Sequence, residues 1–221
     1  MAHAIEEVED MVSLASSLVI NIGTLSSYWV EAMHKAMLQA NKIKKPIVFD
    51  PVGAGATTYR TETSRNFLKT ITPTVIRGNA SEICSLLEDI QTKGVDSTQE
   101  SEFAVLAAKL SAQTYNCTVV ISGAKDFIIN ADSIIQIDNG HPLMTKVTGM
   151  GCTATAIIGA FLAVNTDAFA AATHAMAVMG ITGEIAAHKS AGSGSMQVNF
   201  LDTLYNLRKE EIKERLKLRK L

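Results

Sequence analysis

The chain has 221 residues, 47% of them hydrophobic and 19% charged, with a formal net charge of -2. This is the profile of one ordinary globular domain with a sizeable core, and it excludes a disordered or fibrous segment. The basic residues are dispersed apart from a Lys/Arg-rich run near the end, expected to be the solvated face of a final helix, so no electrostatic footprint for nucleic acid forms.

The opening M-A-H-A-I-E-E-V-E-D-M carries acids where a signal peptide needs a basic start, and no stretch of about 18 or more apolar residues reads as a membrane span. A cytoplasmic protein without membrane contact is expected. The first β-like run is residues 18–22, L-V-I-N-I, followed by a helical pattern from about residue 27 to residue 41 and a second strand at I-V-F-D, residues 47–50. The series continues with a strand at residues 74–76, a helix starting near Ala80, a helix over about residues 99–114 and a strand at residues 118–121. Such alternation predicts a parallel sheet with helices on both faces. Residues 127–129 and 134–137 are short β runs around the turn-like N-A-D-S, which predicts a hairpin. Residues 151–188 are rich in Ala, Met and Ile and suit one or two buried helices, with an amphipathic helix from Leu201 onward. So much apolar composition near the end exceeds what one small sheet is expected to cover, which favours self-assembly.

Ligands in open α/β sheets bind outside the carboxyl ends of the strands. The unusual loops fall there. In D-P-V-G-A-G-A-T, residues 50–57, the glycines permit close backbone approach and Asp50 at the strand end is suited to a cation or its water; a tight turn with Asp as a cap is an equal reading. In R-G-N-A-S-E, residues 77–82, Asn79 and Glu82 stand at capping-box spacing, which leaves Arg77 unexplained; its guanidinium suits phosphate. Glu82 is also a candidate for Mg²⁺, through water. In T-G-M-G-C-T, residues 148–153, successive glycine amides at a helix start form an anion site, and a helix start favours negative charge at Cys152, although cysteine is often a small buried hydrophobe. A-G-S-G-S, residues 191–195, is either an inter-helix loop or the border of a nucleotide site. Cys84, Cys117 and Cys152 lack C-x-x-C or metal-ligand spacing, and the Walker pattern and nucleophile elbow are absent from the sequence.

Taken in order, N-I-G-T-L at residues 21–25, residues 50–57, residues 77–82 and Gly149 to Cys152 resemble the hydroxyethylthiazole kinase family, over essentially the whole chain. The resemblance implies a ribokinase-like three-layer α/β sandwich, with a mostly parallel central sheet and helices on both faces, as one domain over residues 1–221 shortened at its amino end relative to the family. It implies ATP and Mg²⁺ as cofactors, 4-methyl-5-(2-hydroxyethyl)thiazole as acceptor, and a homotrimer with sites between subunits. Carried over by residue, Arg77 and Ser122 look like ATP contacts, Gly149 and Met1 like substrate contacts, and Asp50 and Glu82 like the Mg²⁺ acids. Cys152 stands where ribokinase relatives place a catalytic aspartate, with Gly151 in the anion hole, and Met150 departs from the usual residue between the glycines. Two other readings stay open at this level: a kinase for another vitamin alcohol such as hydroxymethylpyrimidine, and a subunit that binds nucleotide without turnover.

Overall fold

The computed structural model describes residues 3–87 and 97–221, with the side chains of residues 97–102 left aside. In chain order the elements are α1 (Val8–Leu14), β1 (Leu18–Asn21), α2 (Ser27–Lys42), β2 (Ile47–Asp50), α3 (Thr58–Thr70), β3 (Val75–Gly78), α4 (Ala80–Ser85), α5 (Ser97–Tyr115), β4 (Thr118–Ile121), β5 (Asp126–Ile129) and β6 (Ile134–Ile137). A 3₁₀ turn (Pro142–Lys146) follows, then α6 (Met150–Leu162), α7 (Ala168–His188), α8 (Ser193–Asn206), α9 (Lys209–Arg215) and β7 (Leu218–Lys220). The strands form one sheet in sequential order; β1 to β4 run parallel and β5 to β7 add antiparallel strands beyond them.

Two-residue periodicity sorts the strand side chains into two cores. Ile47 and Phe49 of β2, Ile76 of β3, and Val119 and Ile121 of β4 share a cluster with α2, α3 and α5. Val48, Val75 and Val120 face the other way, into a cluster with α6, α7 and α8. This is the three-layer sandwich expected from the alternation of elements. Burial on both faces explains why the strands are continuous apolar runs.

Three differences from expectation have physical causes. Helix α3 is too polar to show an apolar stripe; it buries Thr63 and Ser64 beside Phe67 and Leu68, and Thr57 caps its start by accepting from the Arg60 N–H. The basic end of the chain is not one helix. It breaks after Arg215 into β7, which completes the free edge of β6 and pairs Arg219 with Asp138. Among the described residues α7 is the one helix long and apolar enough to cross a membrane, contrary to the reading that no such stretch exists, but it packs against the sheet and between α6 and α8. Its apolar side chains find cover within a single chain, so its composition does not itself call for assembly.

Candidate active site

The same periodicity that builds the cores selects the site. Phe49 and Ile76 face the α2 side, so the next residues, Asp50 and Arg77, face α6; Asn21, in register with Asp50 at the end of β1, does likewise. Three polar side chains from adjacent parallel strands therefore end beneath the first turn of α6. Helix N-termini carry unpaired amides and positive potential, so this junction suits anionic ligands.

Asp50 is fully buried. Its Oδ2 accepts from Thr155 Oγ1 at 2.7 Å and from Asn21 Nδ2 at 2.9 Å, and lies 3.6 Å from Arg77 Nη1. Its Oδ1 has no partner, although it is buried. Burial pushes the Asp50 carboxyl above the usual carboxylate range; Arg77 and Thr155 pull it back, while the neighbouring Glu82 charge adds to the rise. A buried carboxylate with one saturated and one unpartnered oxygen is arranged to receive a further ligand.

Arg77 links this carboxylate to the next strand, since Nη2 donates to Ser122 Oγ just past β4. The guanidinium lies so close to the start of α6 that a Cβ on residue 151 would stand 2.7 Å from Nη1, so any larger residue there would have to push the guanidinium aside. Gly149 caps α6 in the left-handed conformation, φ 87°, which glycine adopts without strain and which turns the chain sharply into the helix. Cys152 sits in that turn with its thiol exposed, and Asn21 Nδ2 reaches its Sγ at 3.3 Å.

Glu82 lies beside this group as the capping box of α4. Its Oε2 accepts from the Asn79 N–H at 2.8 Å and its Oε1 from the Gly53 N–H at 2.8 Å, which ties the loop after β2 to the loop after β3. Among the described residues no group of three or more acidic, His or Cys side chains gathers as a metal cage. Two acids beside a helix start suited to anions would nevertheless fit Mg²⁺, which takes one or two carboxylates, substrate phosphates and water.

Next to Arg77 opens a cavity of about 490 Å³. Ser122, Asp126 and Gly151 line it together with the apolar side chains of Met150, Met176 and Met179. Burial pushes the Asp126 carboxyl up to about 7, against the opposing pull of the Gly123 N–H it accepts from and of Arg77. A-G-S-G-S does not line this cavity; Ser195 Oγ instead accepts from the Ala191 and Gly192 amides and closes the start of α8.

Of the residues singled out in the sequence, Asp50, Arg77, Ser122, Gly149, Gly151 and Cys152 meet at this junction, Glu82 adjoins it, and Met1 lies outside the described residues. Sequence reasoning singled out the motif that begins with Asn21 but gave that residue no role, and it missed Arg60, Thr155 and Asp126. Arg60 Nη1 donates to the Ile22 and Val52 carbonyls, each at 2.8 Å, and so joins the loops after β1 and β2. For Asn21 a signal existed: Asn two residues before Gly at a strand end is an Asx-turn pattern. Thr155 had none, because its partner Asp50 is 105 residues away, and Arg60 and Asp126 had none because the loop junction and the burial that give them their roles arise only from packing.

Comparison with known proteins bears on the family and the fold. The model of the hydroxyethylthiazole kinase family matches residues 1–210. A hydroxyethylthiazole kinase of Syntrophus aciditrophicus (strain SB) is 56% identical over 220 residues, which are 99% of this chain and 82% of that protein. The solved structure of a hydroxyethylthiazole kinase protein from Pyrococcus horikoshii OT3 superimposes with a TM-score of 0.92 at 39% identity, over 100% of this chain and 83% of that one. A ribokinase-like superfamily protein from Enterococcus faecalis V583 shares the fold, with a TM-score of 0.68 at 16% identity over 94% of this chain and 68% of that one.

Proposed function

This chain belongs to the hydroxyethylthiazole kinase family, and from that premise we propose that it transfers the γ-phosphoryl group of ATP to the primary alcohol of 4-methyl-5-(2-hydroxyethyl)thiazole, a step of thiamine salvage. The observation that carries this reading is the convergence of Asp50 and Arg77 at the strand ends with Cys152 in the first turn of α6, beside a cavity lined by both polar and apolar side chains. In the transfer the alcohol oxygen bonds to the γ-phosphorus, the bond to the bridging oxygen breaks, and its electron pair leaves with ADP. Cys152 Sγ orients the alcohol by accepting its hydrogen bond and, as a thiolate, takes its proton. Arg77 and Ser122 hold the nucleotide phosphates, and the amides around Gly151 receive the phosphoryl oxygens as charge builds on them. Gly149 and, beyond the described residues, Met1 contact the thiazole.

Asp50, through its unpartnered Oδ1, and Glu82 would hold Mg²⁺. Bound Mg²⁺ supplies charge neutralisation for the phosphates. A homotrimer, on the strength of the family resemblance alone, and a cytoplasmic location complete the reading. Neither the pyrimidine alcohol nor a silent subunit is favoured by anything in the site. Purified protein with ATP and Mg²⁺ is expected to phosphorylate the thiazole alcohol far faster than hydroxymethylpyrimidine. The reverse preference would reject the assignment, and nucleotide binding without turnover of either alcohol would restore the silent-subunit reading.

A further inference from the structure

Asn21 has no part in the transfer as described, yet it touches more of the junction than any backbone turn requires. Its Oδ1 accepts from the Gly23 N–H at 2.8 Å, and a Cβ on residue 23 would stand 2.8 Å from that oxygen, so a larger residue there would push the amide out of the turn. Because Gly23 N–H is a donor, the amide oxygen must face it, and this fixes the NH₂ end toward the opposite side. There the two N–H groups find two acceptors, Asp50 Oδ2 at 2.9 Å and Cys152 Sγ at 3.3 Å. An Asx turn is served equally by Asp or Asn. Only Asn supplies the two donors.

We propose that Asn21 is a positioning residue that holds the Cys152 sulfur over the strand ends, where the alcohol and the phosphoryl group meet. The proposal rests on the reading of Cys152 as proton acceptor. An exposed cysteine at a helix start has several staggered positions for its sulfur. The bond from Nδ2 selects the one that faces β1 and β2 and engages one sulfur lone pair, which leaves the open side of Sγ to the alcohol. Asn21 cannot follow a wandering thiol, because its other hydrogen is committed to Asp50, whose Oδ2 is held in turn by Thr155. Thiol and acid are thereby set at a fixed spacing by one rigid amide.

The test combines kinetics with thiol chemistry. Asn21→Asp keeps the turn acceptor and the shape but loses both donors, while Asn21→Ala avoids placing a second carboxylate beside Asp50. Both are expected to lower kcat roughly 10- to 100-fold, the scale of a misplaced reacting group, with KM for ATP little changed. Asn21→Ala combined with Cys152→Ala should lose no more than Cys152→Ala alone, since residues that act as a unit are not additive. Multiplying losses in the double variant would overturn the proposal.

A second readout needs no turnover. Cys84 and Cys117 are buried, so iodoacetamide reports on Cys152 in the nucleotide-free protein. Its alkylation rate is expected to change several-fold in Asn21→Ala; the wild-type rate would mean that the amide does not hold the sulfur. Failure of the underlying reading is separately visible. A Cys152→Ala enzyme with wild-type kcat removes the proton acceptor, and with it the purpose of the link, whatever alkylation shows.

Discussion

The guanidinium of Arg77 fills the space that a side chain on residue 151 would need, with Nη1 2.7 Å from where a Cβ would stand. Gly151→Ala must therefore displace a group held from two other sides by Asp50 and Ser122. The variant is expected to fold, with ATP affinity reduced about tenfold, or ~1.4 kcal/mol. Calorimetry with ATP checks this, and unchanged affinity would take the guanidinium out of the nucleotide site.

Arg77→Ala removes a charge-assisted contact to phosphate, for which a loss of about 1.5 to 3 kcal/mol in ATP binding is expected. It also leaves the fully buried Asp50 without its counter-charge, so the melting temperature should fall as well. Adding Asp50→Asn should recover much of the melting temperature and none of the ATP binding. If both recover together, Arg77 acts only through the fold.

The two acids are expected to separate. Asp50→Asn should raise the Mg²⁺ concentration needed for turnover more than it changes thermal stability, because relief from burying a charge offsets the lost ion pair with Arg77. Glu82→Gln should cost about 1 kcal/mol of stability, since it weakens a capping box and the tie to Gly53. A Mg²⁺ titration of each variant, beside its melting curve, is the measurement. A Glu82→Gln enzyme with unaltered Mg²⁺ dependence would assign that residue wholly to the cap.

Asp126 gives a pH dependence with a definite sign. Its carboxyl titrates near 7 in the folded chain against 3.8 when free, so between those values the folded state binds more protons than the unfolded one. Stability contributed by the neutral acid is therefore fully present below pH 3.8 and is lost as pH rises to about 7. Asp126→Asn mimics the neutral form and keeps an acceptor for the Gly123 N–H. Its melting temperature should match the wild type at the acid end of this window and exceed it progressively up to neutrality. A constant difference across the window would contradict the assignment.

For Cys152, replacement by Ser should lower kcat without abolishing it, because phosphoryl transfer through a loose transition state needs modest base assistance. Cys152→Asp should retain or improve activity. The thiol is exposed, so a carboxylate there carries no burial penalty, and Asn21 can donate to it. Rates and melting temperatures of both variants decide the matter, and a Ser enzyme with unchanged kcat would take Cys152 off the catalytic path.

How far the chain could be read before folding follows from where its information lies. β-Branched runs at residues 47–50 and 118–121, and glycines at 149 and 151, are local signals of strand and helix start, so the sandwich and its ligand-bearing end were legible from spacing and pattern alone. Helix α3 was not, since polar residues fill positions that tertiary packing later buries. The terminal basic run was misjudged for a related reason: whether it ends as helix or strand depends on an open edge at β6, some eighty residues away. Within the site, residue types announced Asp50, Arg77 and Cys152. Their mutual arrangement did not follow from type, because the bonds of Asn21 to Cys152 and of Thr155 to Asp50 span 131 and 105 residues. Periodicity can say that a strand's last side chain faces one side of a sheet; which helix waits there, and which of its side chains comes within bonding distance, is set by packing between elements that are remote in the chain.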